Sequence, residues 1–495
     1  MNDSATATDP DAPPPFGQRN RTHTGLSTIA SQSVEWQEQN LLSLDGGGIR
    51  GYWSLLVLKR LMEAIGDAER EQEGATPQAV GAQQAELHSF LPFPYPENAT
   101  QCDISRITKL HERDAYSLIA MMLSRFRMTV MDCLNEYERM SNRIFGRPRW
   151  FSQRNLMIPW WTKYSAAAME KAFEEVTIRR SSRRERQALD SQNHADPKFE
   201  TTHGTCSTFA TTIRRSTGGT AGSERSLHLL RSYRHENRPG RTLTATLPVR
   251  NFGPAESMRI CQVARAATAA PFYFKEIVFR PNGSNETVYY SDGGFGSTNN
   301  PTAVAIQEIR LHGNGRLGAI VSIGTAKADT DSGRQSARAH VERAFDAATN
   351  PSEVHVTVLR QDHPHYWRLN DEKGLELPLD DWKPTYFTGN PGSQTMQTIK
   401  DKFAHWIADR DVIEMFNACA SELVKRRRAR AQLRHRWERF STGASGFQCQ
   451  DPGCSSEHEN FYHRGRFLEH WQTQHDACEE FKEPLFTDWT YQARP

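Results

Sequence analysis

Leu41-Leu42-Ser43-Leu44-Asp45-Gly46-Gly47-Gly48-Ile49-Arg50-Gly51 carries an apolar strand into a turn packed with glycine. Beyond it, Leu55, Leu56, Leu58, Leu61 and Met62 fall at helical spacing. Strand, glycine turn and helix in that order leave bare backbone N–H groups where they can face an anion or a developing oxyanion. A phosphate loop would close on Gly-Lys-Ser/Thr, which this turn lacks. A dinucleotide fingerprint wants an acidic ribose partner roughly 20 residues on. Glu63 is the candidate, but it lies inside the helix rather than at a strand end.

The chain has 495 residues, enough for one large domain and an appendage. A hydrophobic content of 37% and a charged content of 24% describe a soluble protein. No window reaches the roughly 18–20 uninterrupted apolar residues of a membrane span. From a net charge of +2 no general polyanion-binding character follows. Basic runs stand at Arg179–Arg186, as an exposed insertion, and at Lys425–Arg439, as a solvated helix face with membrane-surface binding the minority reading. Eight cysteines without a paired framework or secretory signal are read as reduced thiols in an intracellular compartment.

Residues 1–35 read as a polar, disordered tail. The first βα unit occupies about 40–66, with polar insertions at about 67–100 and 179–204. Helices are predicted at 117–123, 131–144, 258–267 and 301–311, the last with Pro301 in its first turn. Strands are predicted at 208–213, 242–249, 287–290 and 319–323. This alternation argues for an α/β domain over 36–330, three-layered with a largely parallel sheet. A mostly helical extension spans 331–442, and a Cys/His-rich tail begins near Gly443.

A second glycine motif closes a β-type run: Tyr289-Tyr290-Ser291-Asp292-Gly293-Gly294-Phe295, ahead of Asn299-Asn300-Pro301. A carboxylate at a strand end, with glycines that admit a neighbouring loop, suits a general base. Together with Ala264-Arg265-Ala266-Ala267-Thr268-Ala269-Ala270-Pro271-Phe272-Tyr273-Phe274, the two motifs resemble the patatin-like phospholipase family. The resemblance covers about 40–325, and Tyr366–Lys383 looks like the extension of fungal-type members. It implies an α/β/α fold and ester hydrolysis in phospholipid or related acyl lipids by a Ser–Asp dyad without a catalytic cofactor. Gly46, Gly47, Gly48, Ile49, Arg50 and Gly51 would form the oxyanion loop, and Asp292, Gly293 and Gly294 the base motif. Arg50 is expected either to fix that loop or to be a surface arginine at a helix start.

The implied serine should sit in Gly-x-Ser-x-Gly on a sharp strand-to-helix turn, and the chain contains no such motif. The helix expected after it resembles Leu118–Leu123, which puts the turn at Glu112–Ser117 and Asp114 in the serine's place. The run before it, Ile104 to His111, lacks the apolar character of a buried strand. A pseudoenzyme, a local frame or splice-boundary error over about 101–117, and a substitute serine are the three explanations. The abrupt break favours the error, and as written the chain is expected to be poorly active or inactive. Ser117 lacks a flanking glycine; Ser216 and Cys206 read as exposed-turn decoys.

In the tail, four residues separate Cys449 from Cys454 and His470 from His475, with fifteen between the pairs. That spacing fits structural zinc, which so short a segment would need as a staple. Phe461 and Phe467 would form its small core, as in a zinc-finger unit. One finger reads about three base pairs, so a protein partner is expected there in preference to specific DNA. The chain is expected to be intracellular, cytoplasmic or peripherally bound to a membrane surface.

Overall fold

The structure is a computed structural model that describes residues 34–72, 122, 130–146, 162–180, 198–200, 206–217, 225–235, 251–271, 273–280, 286–296, 298–311, 315–326, 351–375, 377, 380–384, 392–432, 447–448, 470, 473–474 and 485–486. A three-stranded parallel sheet runs in the order β1 (Glu38–Leu44), β6 (Arg316–Ile323), β7 (Tyr366–Leu369). A four-stranded antiparallel sheet runs in the order β3 (Arg225–Arg231), β2 (Phe209–Thr217), β5 (Thr287–Asp292), β4 (Ile277–Phe279). Short connections join β2 to β3 and β4 to β5, and a short link can only return a strand antiparallel.

The parallel sheet is the middle layer of an α/β/α arrangement. Its central strand β6 is buried from Gly318 to Ile323, as a strand covered on both faces must be. Alternate residues serve opposite layers. Ile320 packs with Ile306 of α5 (Thr302–Leu311) and Val358 of α6 (Ser352–Leu359). Val321 and Ile323 join the main core with α1 (Gly51–Gln72).

Helix α1 continues past residue 66, where periodicity ended the first βα unit. Its last turns are rich in helix formers, and Glu69 is anchored across the core. The anchor comes from α8 (Arg410–Ala431), which packs along α1 beside α7 (Ser393–Trp406). Trp53 of α1 meets Phe403 edge-on at 5.2 Å between centroids, and Trp406 at 5.5 Å. Residues 366–432 therefore contribute both a sheet strand and one wall of the main core.

The basic run that begins at Lys425 differs from a solvated face where it is described. Arg426 pairs with Glu38 and Glu422, Arg428 with Glu69, and Arg430 donates to the Glu38 carbonyl at 2.6 Å. These arginines dock α8 onto β1 and α1. Ser216 likewise lies in β2 and donates to Glu286, rather than in a turn. The predicted strand at 242–249, the residues 1–33 and most of both polar insertions lie outside the described residues. The four described cysteines, Cys133, Cys206, Cys261 and Cys419, stand outside any disulfide. Among the described residues no helix is long and apolar enough to cross a membrane.

Candidate active site

The glycine turn leaves the C-terminal end of β1. The Asp45 N–H donates to the Ile323 carbonyl at 3.0 Å, the last rung toward β6, and the Gly46 N–H then donates to the Asn299 carbonyl at 3.0 Å. A single 3-10 turn at Gly48–Arg50 follows, closed by the Arg50 N–H on the Gly47 carbonyl at 2.9 Å. Gly48 has φ +52°, the left-handed region in which a side chain is strained. Among the described residues, no backbone carbonyl accepts from the N–H groups of Gly47 or Gly48. Arg50 is buried at the start of α1.

Two neighbours hold the turn closely. Tyr137, on α2 (Val130–Phe145), donates its hydroxyl to the Gly48 carbonyl. A Cβ on Gly51 would stand 2.4 Å from the same hydroxyl oxygen. On the other side a Cβ on Gly47 would stand 2.5 Å from Thr325 Cγ2. Glycine is required here by space as well as by conformation.

Asp292 ends β5 and is set by its neighbours on three sides. Its N–H donates to the Ala269 carbonyl at 3.1 Å, just past α4 (Ile260–Ala267). Its Oδ1 accepts from the Gly294 N–H at 2.8 Å. Thr212 of β2 is its antiparallel partner. Burial pushes the Asp292 carboxyl up to about 6, with the Gly294 N–H opposing that rise. A carboxylate tuned near neutrality is suited to taking and returning a proton.

Asn299 joins the two motifs. Its carbonyl takes the Gly46 N–H. Its Oδ1 lies so close to both turns that a Cβ would meet it at 2.5 Å from Gly46 and at 3.2 Å from Gly294. The oxyanion-type turn and the aspartate, about 250 residues apart in sequence, thus pack against one side chain.

Arg368 of β7 carries no motif in the sequence, yet it makes a two-pronged pair with Asp45: Nη1 to Oδ1 at 3.0 Å and Nη2 to Oδ2 at 2.5 Å. Asp45 and the Tyr366–Lys383 run are both legible in the sequence, but nothing in it connects them. Glu112–Ser117, including Asp114, lies outside the described residues, as do Cys449, Cys454 and His475. His470 is described and buried. Strands β8 (Phe447–Gln448) and β9 (Leu485–Phe486) pair antiparallel at the two ends of that tail segment.

Comparison with known proteins finds similarity to phospholipases. Calcium-independent phospholipase A2-gamma of Oryctolagus cuniculus is 23% identical to this chain over 347 residues, covering 69% of the chain and 35% of that protein. The chain is similar to a phospholipase. The protein of the same name from Mus musculus is 23% identical over 349 residues, and that of Homo sapiens 24% over 347, each covering 69% of the chain and 36% of the relative. The chain thus spans about a third of the length of these curated relatives. No family model matches it.

Proposed function

We propose that this chain is a patatin-like lipid acyl hydrolase, in which Asp292 is the general base and the N–H groups of Gly47 and Gly48 receive the oxyanion. The observation that carries the reading is the meeting of the two motifs at Asn299, next to a carboxyl raised to about 6. A hydroxyl nucleophile would give its proton to Asp292 as its oxygen attacks the ester carbonyl carbon. The developing negative oxygen would lie on the glycine turn, where one donor is worth about 3–4 kcal/mol. Collapse would expel the lipid alcohol with the proton from Asp292, and water would repeat the sequence to release the fatty acid.

The nucleophile is the open term, because Asp114 stands where the family resemblance places serine. That residue favours a second reading, a catalytically silent module that binds lipid without turning it over. Phospholipid vesicles incubated with the full chain separate the two. Fatty-acid release that disappears in Asp292→Asn supports hydrolysis, and a fluorophosphonate probe that labels a serine would identify the nucleophile. Vesicle binding without release in both proteins would replace hydrolysis with the silent module.

For the tail we propose structural zinc on Cys449, Cys454, His470 and His475. The buried His470 and the β8–β9 pairing that brings the segment's ends together are compatible with a small closed unit. A protein partner is its proposed contact. Zinc titrated into the chelator-treated chain should raise ordered structure by circular dichroism at one equivalent; a flat titration removes the metal.

A further inference from the structure

Beneath the glycine turn, buried polar groups form a closed ring. Asp45 takes both guanidinium prongs of Arg368. Arg368 Nη1 also donates to Ser322 Oγ at 2.9 Å, and Thr302 Oγ1 lies 2.9 Å from Ser322 Oγ and 2.6 Å from Asn300 Oδ1. The adjoining residue, Asn299, takes the Gly46 N–H through its carbonyl, and Gly46 follows Asp45 in the chain. The ring is thereby closed. Ser43 Oγ completes it from β1, 2.9 Å from Thr302 Oγ1.

Its polar side chains are shielded from water, that of Arg368 being 7% exposed and that of Asp45 1%, and only the Gly46 backbone link is exposed. A buried polar network holds a defined geometry only when its members are partnered, and this one spans four separate segments: 43–46, 299–302, Ser322 and Arg368. Two of those segments carry the oxyanion-type turn and the exit from the Asp292 motif. Arg368 contributes the planar two-pronged donor, which a lysine cannot reproduce.

We propose that Arg368 is a positioning residue that holds the glycine turn and the Asp292 turn in mutual register, acting through Asp45 on one and through Ser322, Thr302 and Asn300 on the other. Its place in catalysis rests on the hydrolase reading above. Its structural action on the two turns does not. Arg368 touches neither substrate nor reacting atoms; it fixes where the Gly47 and Gly48 N–H groups aim relative to the base. Transition-state donors must sit within about 0.5 Å of their productive place, so a loosened register lowers turnover more than substrate capture.

Amide hydrogen exchange on the full chain tests this directly, because the N–H groups of Asp45, Gly46, Asp292 and Gly294 are all hydrogen-bonded. In Arg368→Met and in Asp45→Asn, exchange at both turns should rise at least tenfold together, while α8 keeps wild-type protection. Arg368→Lys should fall between, and Ser322→Ala should loosen the Asp292 turn. The exposed-pair control Arg410→Met should change neither turn. Unchanged exchange at the turns, or a rise spread evenly over α8 as well, overturns the proposal. If Arg368→Met fails to fold, Arg368→Lys and Ser322→Ala decide alone.

A kinetic arm on phospholipid vesicles adds the catalytic side. Arg368→Met should lower kcat at least tenfold with KM within about twofold, and adding Asp45→Asn should lower it little further. Full additivity of the two would show that Arg368 does not act through Asp45. Absence of hydrolysis by the wild-type chain sinks the hydrolase reading, and the exchange arm still decides the role of Arg368 on the turns.

Discussion

At the scale of single residues, Asp292 carries the sharpest consequence, because its carboxyl is shifted from 3.8 to about 6 by burial. As the proposed base it must be deprotonated, so kcat/KM should climb through an acidic limb centred near pH 6 with unit slope. The same shift bears on stability. Between pH 4 and 6 the folded chain holds a proton that the unfolded chain has lost, so this group's contribution to stability falls as pH rises through that window and is flat above it. Asp292→Asn keeps an acceptor for the Gly294 N–H and removes the charge. It should therefore stabilise the fold by about 3 kcal/mol at pH 7, a gain that vanishes below pH 4 in denaturant titrations. A midpoint that moves equally at both pH values would contradict the raised carboxyl. Gly293 supplies a second case. A Cβ there would lie 2.6 Å from the carbonyl carbon and oxygen of Thr211, in the backbone of a paired strand that cannot yield. Gly293→Ala should cost about 1–3 kcal/mol. Gly294→Ala, with 3.2 Å to the Asn299 and Asp292 oxygens, should cost less by the same titration.

At the scale of elements, the pairing of α8 with α1 depends on a charge inside the interface. Glu69 has a side chain with 0% exposure, and Arg428 reaches it at 2.7 Å through Nη2 and 2.9 Å through Nε. Burial raises the Glu69 carboxyl, and Arg428 opposes that rise. Removing the partner strands a buried carboxylate, so Arg428→Met should destabilise the chain by about 3–5 kcal/mol. Pairing it with Glu69→Gln should recover more than half, because the stranded charge then disappears. Equal losses in the single and double variants, by urea unfolding, would show that the arginine stem rather than the ion pair holds the helices together.

At the scale of the whole molecule, residues beyond 330 complete the fold that positions the site. Strand β7 is the third strand of the parallel sheet and brings Arg368 to Asp45. Phe403, Phe416, Cys419 and Val424 belong to the same core as Trp53 and Leu58. A chain ended at residue 330 exposes that apolar wall and leaves Glu69 and Asp45 without their arginines. It should lose cooperative thermal unfolding and bind a hydrophobic dye, whereas the full chain melts in one main transition. A monomeric 1–330 fragment with a sharp melt would show that the α/β layers stand without α7 and α8.

The sequence by itself determined the local structure: the strand–glycine–helix unit at Asp45–Gly51, the Asp292-Gly293-Gly294 turn, the helix after Pro301 and the α/β class. Those features are written in runs of ten residues or so, where periodicity and glycine spacing are governed by the chain's own backbone. It did not determine β3 or β4, or that the strands it marked at β2 and β5 pair antiparallel, or that Arg426, Arg428 and Arg430 of α8 dock onto β1 and α1. Nor could it join Arg368 to Asp45, 323 residues away, since a guanidinium's partner is set by which strand lies alongside. Only the tertiary structure decided that Asn299 stands between the two glycine turns and that a ring of buried hydroxyls, carboxylate and guanidinium ties them together. Such a ring forms because dry, close-packed surroundings leave a buried polar group to find its partners among its few polar neighbours.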